Sequence, residues 1–283
     1  MKRVLSIALA AVLCIAAFAG CSSGSPATSA APSASVSTAT ATLSGTVSTN
    51  GSTSMESVIS ALSEAFMEKY PKVTVTYDST GSSAGITAAS QGQADIGLSS
   101  RDLKTTETGL DTATIAIDGI AIIVNKSSKV TDLTLDQIAK LATGEITNWK
   151  EVGGADSPVV FVGREAGSGT RDGFESIVNV ANKCKYTQEL TSTGAVIQAV
   201  ASNQNAFGYA SLSAVGDTVT MLKVGGVACT KDNILNGTYK IQRDFNLITK
   251  QGTTLSPAAK AFIDYAKSKE AAPIIEKAGA FVK

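Results

Sequence analysis

Two spacings of hydrophobic residues alternate along most of the chain. Residues 55–69 place apolar side chains three and four positions apart, and Pro71 follows them. This pattern predicts an amphipathic helix that ends before the proline. Comparable spacing or flanking cap residues predict further helices over residues 83–91, 134–144, 170–180, 194–201, 256–267 and 270–277.

Short segments rich in β-branched residues, some of them with alternating apolar and polar positions, predict the strands. These segments cover residues 43–49, 73–79, 94–100, 158–163, 206–211, 219–224 and 243–250. The run at residues 113–125 is too long and too rich in branched side chains for one helix. We predict two strand segments there, near Ile115 and Ile122.

Strand–turn–helix units therefore repeat along the chain. Such repeats predict an α/β fold in which helices cover mostly parallel sheets. The body is larger than one small sheet requires, and no Pro/Ser-rich linker divides it after Ser44. Two interleaved lobes, with the chain crossing between them, agree with both observations.

The first 44 residues are predicted to lie outside this fold. Lys2 and Arg3 precede an apolar run at residues 4–19 that is short for a membrane span, and Cys21 follows it. This segment resembles a bacterial lipoprotein signal, which implies cleavage after residue 20 and a lipid on Cys21. Cleavage without lipidation is the alternative. Residues 21–44 are mostly Ser, Ala and Thr, which predicts a flexible tether.

The composition narrows the classes of function. The chain has 24 Lys and Arg against 24 Asp and Glu, so we expect no nucleic-acid partner. It has no histidine, which excludes Ser-His-Asp and Cys-His catalysis and removes the commonest metal ligand. We therefore expect no metal and no cofactor. Cys184 and Cys229 remain in the body, either as a disulfide or as two free thiols.

Three junctions between a predicted strand and a predicted helix carry glycine with serine or threonine. They read NGSTSM from Asn50, TGSSAGI from Thr80 and GREAGSGT from Gly163. A helix start offers free backbone N–H groups and a partial positive dipole, glycine allows close approach, and hydroxyls add neutral donors. Ordinary helix capping is the alternative for any one junction. A nucleotide-binding P-loop is excluded because the third junction has no lysine and has Ser168 in place of the second glycine.

Together with the segments ADIGLSSRDL, LTLDQIAKLATGEITNWKEVGG and NAFGYASL, these junctions make the chain similar to a known family. From about Gly45 onward it resembles the phosphate-binding proteins of bacterial high-affinity phosphate ABC transporters. The resemblance implies a periplasmic-binding-protein-like fold whose two lobes are joined by crossover strands and close on phosphate. We place lobe 1 at residues 45–121 and 244–283, lobe 2 at residues 122–243, and the crossings near residues 118–125 and 237–246.

The resemblance also implies which residues bind the ligand. Arg164 would supply the positive charge, and the other positions would supply hydroxyl or backbone donors. The predicted phosphate-binding residues are Ser52, Thr53, Ser54, Ser82, Ser100, Arg101, Arg164, Ser168, Gly169 and Thr170.

One position departs from the family pattern. Some members have an aspartate at the position of Ser100, where it accepts a proton carried by phosphate and repels sulfate. In this chain the acceptor must be a hydroxyl, a backbone carbonyl or another carboxylate, such as Asp118 or Asp172. Arg101 adds a second cation at the same place.

The resulting prediction is a monomeric, non-enzymatic lipoprotein on the extracytoplasmic face of the cell membrane. It would bind inorganic phosphate and deliver it to the permease subunits of an ABC transporter. Binding of another tetrahedral oxyanion, such as sulfate or molybdate, is the nearest alternative. A phosphate-ester hydrolase that uses Ser168 and a surface adhesin or sensor are the others.

Overall fold

The computed structural model describes residues 43–283; the predicted leader, Cys21 and the tether up to residue 42 lie outside this range. In the described part the chain alternates between strands and helices. The strands are β1 (Gly45–Gly51), β2 (Val73–Ser79), β3 (Ile96–Ser99), β4 (Leu110–Asn125), β5 (Asp132–Leu133), β6 (Val160–Arg164), β7 (Gln188–Leu190), β8 (Ala206–Ser211), β9 (Val219–Met221), β10 (Lys223–Val224) and β11 (Gln242–Lys250).

All helices but one cover segments that the sequence indicated, with ends shifted by a few residues. They are α1 (Glu56–Lys69), α2 (Ser82–Gln91), α3 (Leu135–Thr143), α4 (Gly169–Ile177), α5 (Thr193–Ser202), α6 (Lys231–Leu235), α7 (Pro257–Ala266) and α8 (Ala272–Lys277). Three short 3-10 turns lie at Thr53–Met55, Trp149–Val152 and Leu212–Ala214. Helix α6, β5 and β7 were not predicted, because two to five residues are too few to show a period.

The strands form two parallel groups joined by antiparallel neighbours. Nine strands pair in the order β2-β1-β3-β11-β4-β8-β6-β7, with β9 also on β4, and β10 pairs with β5 separately. Strand β1 is parallel to β2 and β3, and β6 is parallel to β7 and β8. Strands β4 and β11 are antiparallel to each other and stand between the two groups. The predicted α/β fold with two lobes and crossover strands is confirmed.

Strand β4 corrects the prediction of two segments near Ile115 and Ile122. It is one continuous strand of 16 residues whose partner changes along its length. Its residues up to Gly119 pair with β11, and those from Ile120 pair with β8. A side chain on Gly119 would come within 2.5 Å of Cys229 Sγ, so the glycine lets the chain pack tightly where it crosses.

Two buried apolar clusters lie on either side of this crossing. One joins α1, α7 and α8 to β1, β2 and β3, and includes Ala116 and Phe245. The other joins α3, α4 and α5 to β6 and β8, and begins at Ile117. We call these parts lobe 1 and lobe 2. The residue boundaries given above for the lobes stay a prediction. In β4 the side chains pass from the first apolar cluster to the second between Ala116 and Ile117.

The local signals at α3 show why these helices begin and end where they do. Thr134 and Gln137 form a reciprocal capping box, and Gly144 ends the helix in the left-handed conformation. The predicted helix at residues 134–144 is thereby confirmed. Among residues 43–283, no helix combines the length and the apolar character needed to cross a bilayer.

Candidate functional site

Four strand-to-helix connections bring small polar residues to one place between the lobes. Lobe 1 contributes the turn after β1 and the start of α2, and lobe 2 contributes the starts of α4 and α5. Gly51 makes the first turn possible, because its φ is 143° and a side chain there would lie 2.2 Å from Leu98 O. We call the hydroxyl cluster the side chains of Ser52, Thr53, Ser54, Ser82, Ser100, Thr170 and Thr193, all of them buried.

Within lobe 1 the cluster is a chain of serine hydroxyls. Ser52 Oγ donates to Ser100 Oγ at 2.9 Å, and Ser100 Oγ lies 3.2 Å from Ser82 Oγ. The backbone N–H of Ser100 donates to Ser82 Oγ at 3.1 Å. The end of β3 and the start of α2 are thereby tied to the turn after β1.

Other members of the cluster bond across the two lobes. Thr53 Oγ1 lies 2.9 Å from Thr193 Oγ1, and the backbone N–H of Thr193 donates to Thr53 Oγ1. Ser54 Oγ bonds to Thr170 Oγ1 and lies 3.2 Å from Thr193 Oγ1. The starts of α4 and α5 therefore meet the 3-10 turn that precedes α1.

The start of α4 approaches lobe 1 so closely that only glycine fits. A Cβ on Gly169 would lie 2.4 Å from Ser82 Oγ and 2.7 Å from Ser100 Oγ. Ser168 caps the helix by accepting from the backbone N–H of Arg171. Because the first N–H groups of a helix have no acceptor inside it, those of Gly169 and Thr170 are free to bind a group at this place.

Arg164 supplies the positive charge of the site. It ends β6, and its backbone N–H donates to the hydroxyl of Tyr209 at 3.1 Å. Its Nη1 donates to Thr53 Oγ1 at 2.7 Å and to Thr193 Oγ1 at 3.3 Å. Its Nε and Nη2 donate to the carbonyls of Leu190 and Thr191. The guanidinium is thus fixed with one nitrogen inside the hydroxyl cluster.

This guanidinium is a buried charge with little compensation. Arg164 is 2% exposed, and its ion-pair partner among the described residues, Glu165, is 3.7 Å away and partly exposed. Burial lowers the pKa of the Arg164 guanidinium, because the low-dielectric surroundings disfavour the charged form. A buried cation surrounded by neutral donors is an arrangement that favours an anion.

Arg101 lies beside the cluster with its two terminal nitrogens already hydrogen-bonded. Nη1 and Nη2 both donate to the carboxylate of Glu107 at 2.8 Å, and Nη2 also donates to Ser83 Oγ. Nε lies 3.0 Å from Asp172 Oδ2, and Nη1 donates to the carbonyl of Asp102. Each nitrogen of this guanidinium therefore already has an oxygen neighbour outside the hydroxyl cluster.

The two carboxylates considered as proton acceptors face other partners. Asp172 pairs with Arg101 and Lys104. Asp118 accepts from Arg243 and from Ser211. In the described residues, no hydrogen bond of the hydroxyl cluster goes to a carboxylate. A hydroxyl or a backbone carbonyl is thus the acceptor that this geometry offers.

Thr193 is a member of the cluster that the sequence analysis missed. Its neighbours Ser192 and Gly194 repeat the small-residue pattern of the other junctions, so a signal was present in the sequence. The preceding strand, β7, has only three residues and no visible alternation. The junction was therefore not recognised as a strand-to-helix connection.

The structure places the predicted residues as follows. Ser52, Ser82 and Ser100 form one hydrogen-bonded group. Thr53, Ser54, Arg164 and Thr170 form a second group, joined through Thr193. Gly169 lies next to the hydroxyls of the first group, Ser168 caps the adjoining helix, and Arg101 lies at the edge. Both cysteines in the described part, Cys184 and Cys229, are free thiols.

Comparisons with known proteins identify the family. The sequence pattern of the PBP superfamily domain matches residues 36–270. The phosphate-binding protein PstS of Bacillus subtilis is 32% identical over 221 residues, which cover 75% of this chain and 72% of that protein. PstS of Borreliella burgdorferi is 29% identical over 241 residues, which cover 78% of this chain and 85% of that protein.

Solved structures give the same result. One is a substrate-binding protein from Clostridium perfringens, assigned to phosphate ABC transport and solved with bound phosphate. It superposes with a TM-score of 0.80 and is 43% identical, and the match covers 84% of this chain and 100% of that chain. An ABC-type phosphate transport receptor from Vibrio cholerae has a TM-score of 0.70 and 34% identity, also over 84% and 100%. The chain therefore belongs to the PBP superfamily and, within it, to the family of bacterial phosphate-binding proteins that these relatives represent.

Proposed function

We propose that this protein binds inorganic phosphate outside the cytoplasm and delivers it to the permease subunits of an ABC transporter. The observation that carries the proposal is Arg164, a buried cation whose Nη1 lies among hydroxyls from both lobes. The ligand residues we propose are the hydroxyl cluster, Arg164, Ser168 and Gly169. Arg101 acts from the edge of the site.

The donor set suits a small tetrahedral anion. Starts of helices from both lobes point at one place, so their N–H groups and dipoles add to the charge of Arg164. Since the remaining donors are neutral, the site can surround a multiply charged anion without a matching number of cations. A five-atom ligand bound near the ceiling of roughly −1.5 kcal/mol per heavy atom would reach a Kd of about micromolar order.

The same geometry gives no support for catalysis. Ser168, the candidate nucleophile, accepts from the backbone N–H of Arg171 as a helix cap, and the chain has no histidine to act as its base. The relatives at 30% identity or more are phosphate-binding and phosphate-transport proteins. We therefore propose a binding protein that breaks no bond.

The N-terminal sequence supports a proposal for the location. We propose that Cys21 carries the lipid that anchors the protein to the outer face of the cytoplasmic membrane, and that the body works as a monomer. Labelling with a fatty-acid analogue tests the anchor: the native chain incorporates the label, and Cys21→Ser does not. Equal labelling of both chains would contradict the anchor without affecting the binding proposal.

Isothermal titration calorimetry tests the function. The wild-type chain should bind phosphate, and Arg164→Ala should weaken binding by at least about tenfold, because hydrogen bonds to charged groups contribute roughly 1.5–3 kcal/mol each. Lys150→Ala removes a surface cation paired with Asp156 and is the control, with an unchanged Kd expected. Retained affinity in Arg164→Ala would contradict the site. Equal affinity for sulfate would favour a general oxyanion binder.

A further inference from the structure

A buried ion pair joins the two crossover strands. Asp118 on β4 and Arg243 on β11 are directly opposite each other in the antiparallel ladder, and Arg243 Nη2 donates to Asp118 Oδ2 at 2.9 Å. Asp118 is fully buried, and the Arg243 side chain is 5% exposed. The pair lies one residue before β4 leaves β11, so it is located where the chain passes from one lobe to the other.

The ion pair connects to the hydroxyl cluster through two serines. Ser211, the last residue of β8, donates from Oγ to Asp118 Oδ2 at 2.9 Å. Ser211 Oγ lies 2.7 Å from Ser213 Oγ, and Ser213 Oγ donates to the carbonyl of Ser54 at 3.2 Å. Ser54 in turn bonds through its own hydroxyl to Thr170. Hydroxyl contacts thus connect the crossover to the turn at Ser54, and the Ser54 side chain continues to the start of α4.

We propose that Asp118 is a positioning residue for the anion site, acting through Ser211 and Ser213 on the turn that contains Ser54. The inference rests on the proposed function, since it assumes that this turn binds phosphate. Asp118 does not touch the ligand. Its role is to hold the lobe 1 turn in register with the starts of α4 and α5.

The chemistry of the chain explains the dependence on an ionised carboxylate. A carboxylate only accepts hydrogen bonds, so it fixes the hydrogen of Ser211 toward itself. Ser211 Oγ can then only accept from Ser213, so the single hydrogen of Ser213 is shared in a three-centre contact between Ser211 Oγ and the carbonyl of Ser54. Asp118 also compensates the charge of Arg243, which bonds it through Nη2 and whose Nε and Nη1 have no hydrogen-bond partner among the described residues.

Among Asp118 and the titratable groups that face it, only Asp118 changes its charge near neutral pH. Arg243 faces it from β11, and Cys229 and Tyr239 lie on the segment packed against the crossover. Burial raises the pKa of the Cys229 thiol to about 12 and raises that of Tyr239 well above its usual value, so both stay neutral. Burial also raises the pKa of Asp118 to about 6.

Removing the charge of Asp118 also has an effect that would strengthen phosphate binding. Removing the charge of Asp118 leaves that of Arg243 uncompensated, and Arg243 is near enough to Arg164 to lower its pKa. If long-range attraction for the anion dominated, Asp118→Asn would bind phosphate more tightly. Ser213→Ala removes the hydrogen-bond link without changing any charge, so it separates positioning from attraction.

The experiment measures the phosphate Kd of the wild type, Asp118→Asn, Ser213→Ala and the double variant by calorimetry. At about pH 8 we expect Asp118→Asn to bind about tenfold more weakly and Ser213→Ala about threefold or more, since each lost hydrogen bond contributes about 1 kcal/mol or more. The double variant should be no weaker than Asp118→Asn alone, because both changes break one chain. Asp244→Asn, next along β11 and paired with exposed Lys283, is the control.

The pH profile distinguishes positioning from a general loss of structure. Phosphate's own titration affects all variants equally, so the ratio of the Kd of Asp118→Asn to that of the wild type isolates residue 118. This ratio should fall toward one at about pH 5, where the wild-type carboxyl is protonated as well.

Three results would overturn the inference: unchanged Kd in Ser213→Ala, tighter binding by Asp118→Asn, or a ratio independent of pH. If Asp118→Asn fails to fold, Ser213→Ala alone decides. If the wild type binds no phosphate, the proposed function fails first and the inference falls with it.

Discussion

Arg101, two residues after β3, and Asp172 in the first turn of α4 form an ion pair between the two lobes, with 3.0 Å between Nε and Oδ2. Lys104 reaches the same carboxylate at 2.9 Å. Beside them, the backbone N–H of Ser83 donates to the carbonyl of Gly167. The lobes are therefore held together at the edge of the site by contacts that do not involve the hydroxyl cluster.

Arg101→Ala should make closure of the lobes less favourable and weaken phosphate binding by about threefold to thirtyfold, the range expected for losing one partner of a partly buried ion pair. The Arg101 side chain is 6% exposed, so solvent compensates little for its loss. Calorimetry gives the Kd, and small-angle scattering gives the compaction on binding. Lys104→Ala, whose side chain is 55% exposed, is the control and should have a smaller effect. An unchanged Kd and compaction in Arg101→Ala would contradict this role.

The sequence indicated the junctions at Ser52–Ser54, Ser82 and Ser168–Thr170 because strand, glycine turn and helix start are adjacent in the chain. The direction of the Arg101 side chain could not be predicted, because it depends on Asp172 in the other lobe. The sequence likewise did not predict that β4 is one continuous strand, because this depends on its pairing with β11 and β8, which are far away in sequence. The sequence could predict features that depend on neighbouring residues, and it could not predict contacts between residues far apart in the chain.

Gly169→Ala should weaken phosphate binding by about tenfold or more, because its Cβ would lie 2.4 Å from Ser82 Oγ and must displace α4 or the serines. Gly173→Ala in the same helix is a matched control. Its Cβ would meet Ile120 Cδ1 at 3.1 Å, so the same glycine-to-alanine change in α4 displaces its neighbours less there. Calorimetry on both variants, with thermal melting to confirm folding, measures the difference. Similar affinities for the two variants would mean that α4 does not contact the ligand through its start.

Thr193→Val keeps the shape of the side chain and removes the hydroxyl that bonds Thr53 and Arg164. We expect about fivefold to fiftyfold weaker phosphate binding, since Arg164 would lose one buried partner and the start of α5 a contact with lobe 1. Thr87→Val on α2, which removes an exposed threonine hydroxyl, is the control. Wild-type affinity in Thr193→Val would exclude Thr193 from the site.

Ser100→Asp should increase discrimination between phosphate and sulfate. Ser100 Oγ lies 2.9 Å from Ser52 Oγ and 3.2 Å from Ser82 Oγ, so a carboxylate at this position would face the bound anion. It can accept the proton of a phosphate monoanion or dianion, but it repels sulfate, which has none to offer. The ratio of the sulfate Kd to the phosphate Kd should rise by about tenfold to a hundredfold, because a like charge at an interface costs several kcal/mol before solvent screening.

Ser100→Asn is the control for this change, because it has nearly the same size and no charge. Its selectivity ratio should stay within about threefold of that of the wild type, since neutral hydrogen bonds differ by about 1 kcal/mol or less. Competition titrations at constant pH measure both ratios. If Asn and Asp shift the ratio equally, size rather than charge at position 100 sets selectivity. If neither shifts it, the acceptor for the phosphate proton is elsewhere in the hydroxyl cluster, and Ser100 only connects Ser52 to Ser82.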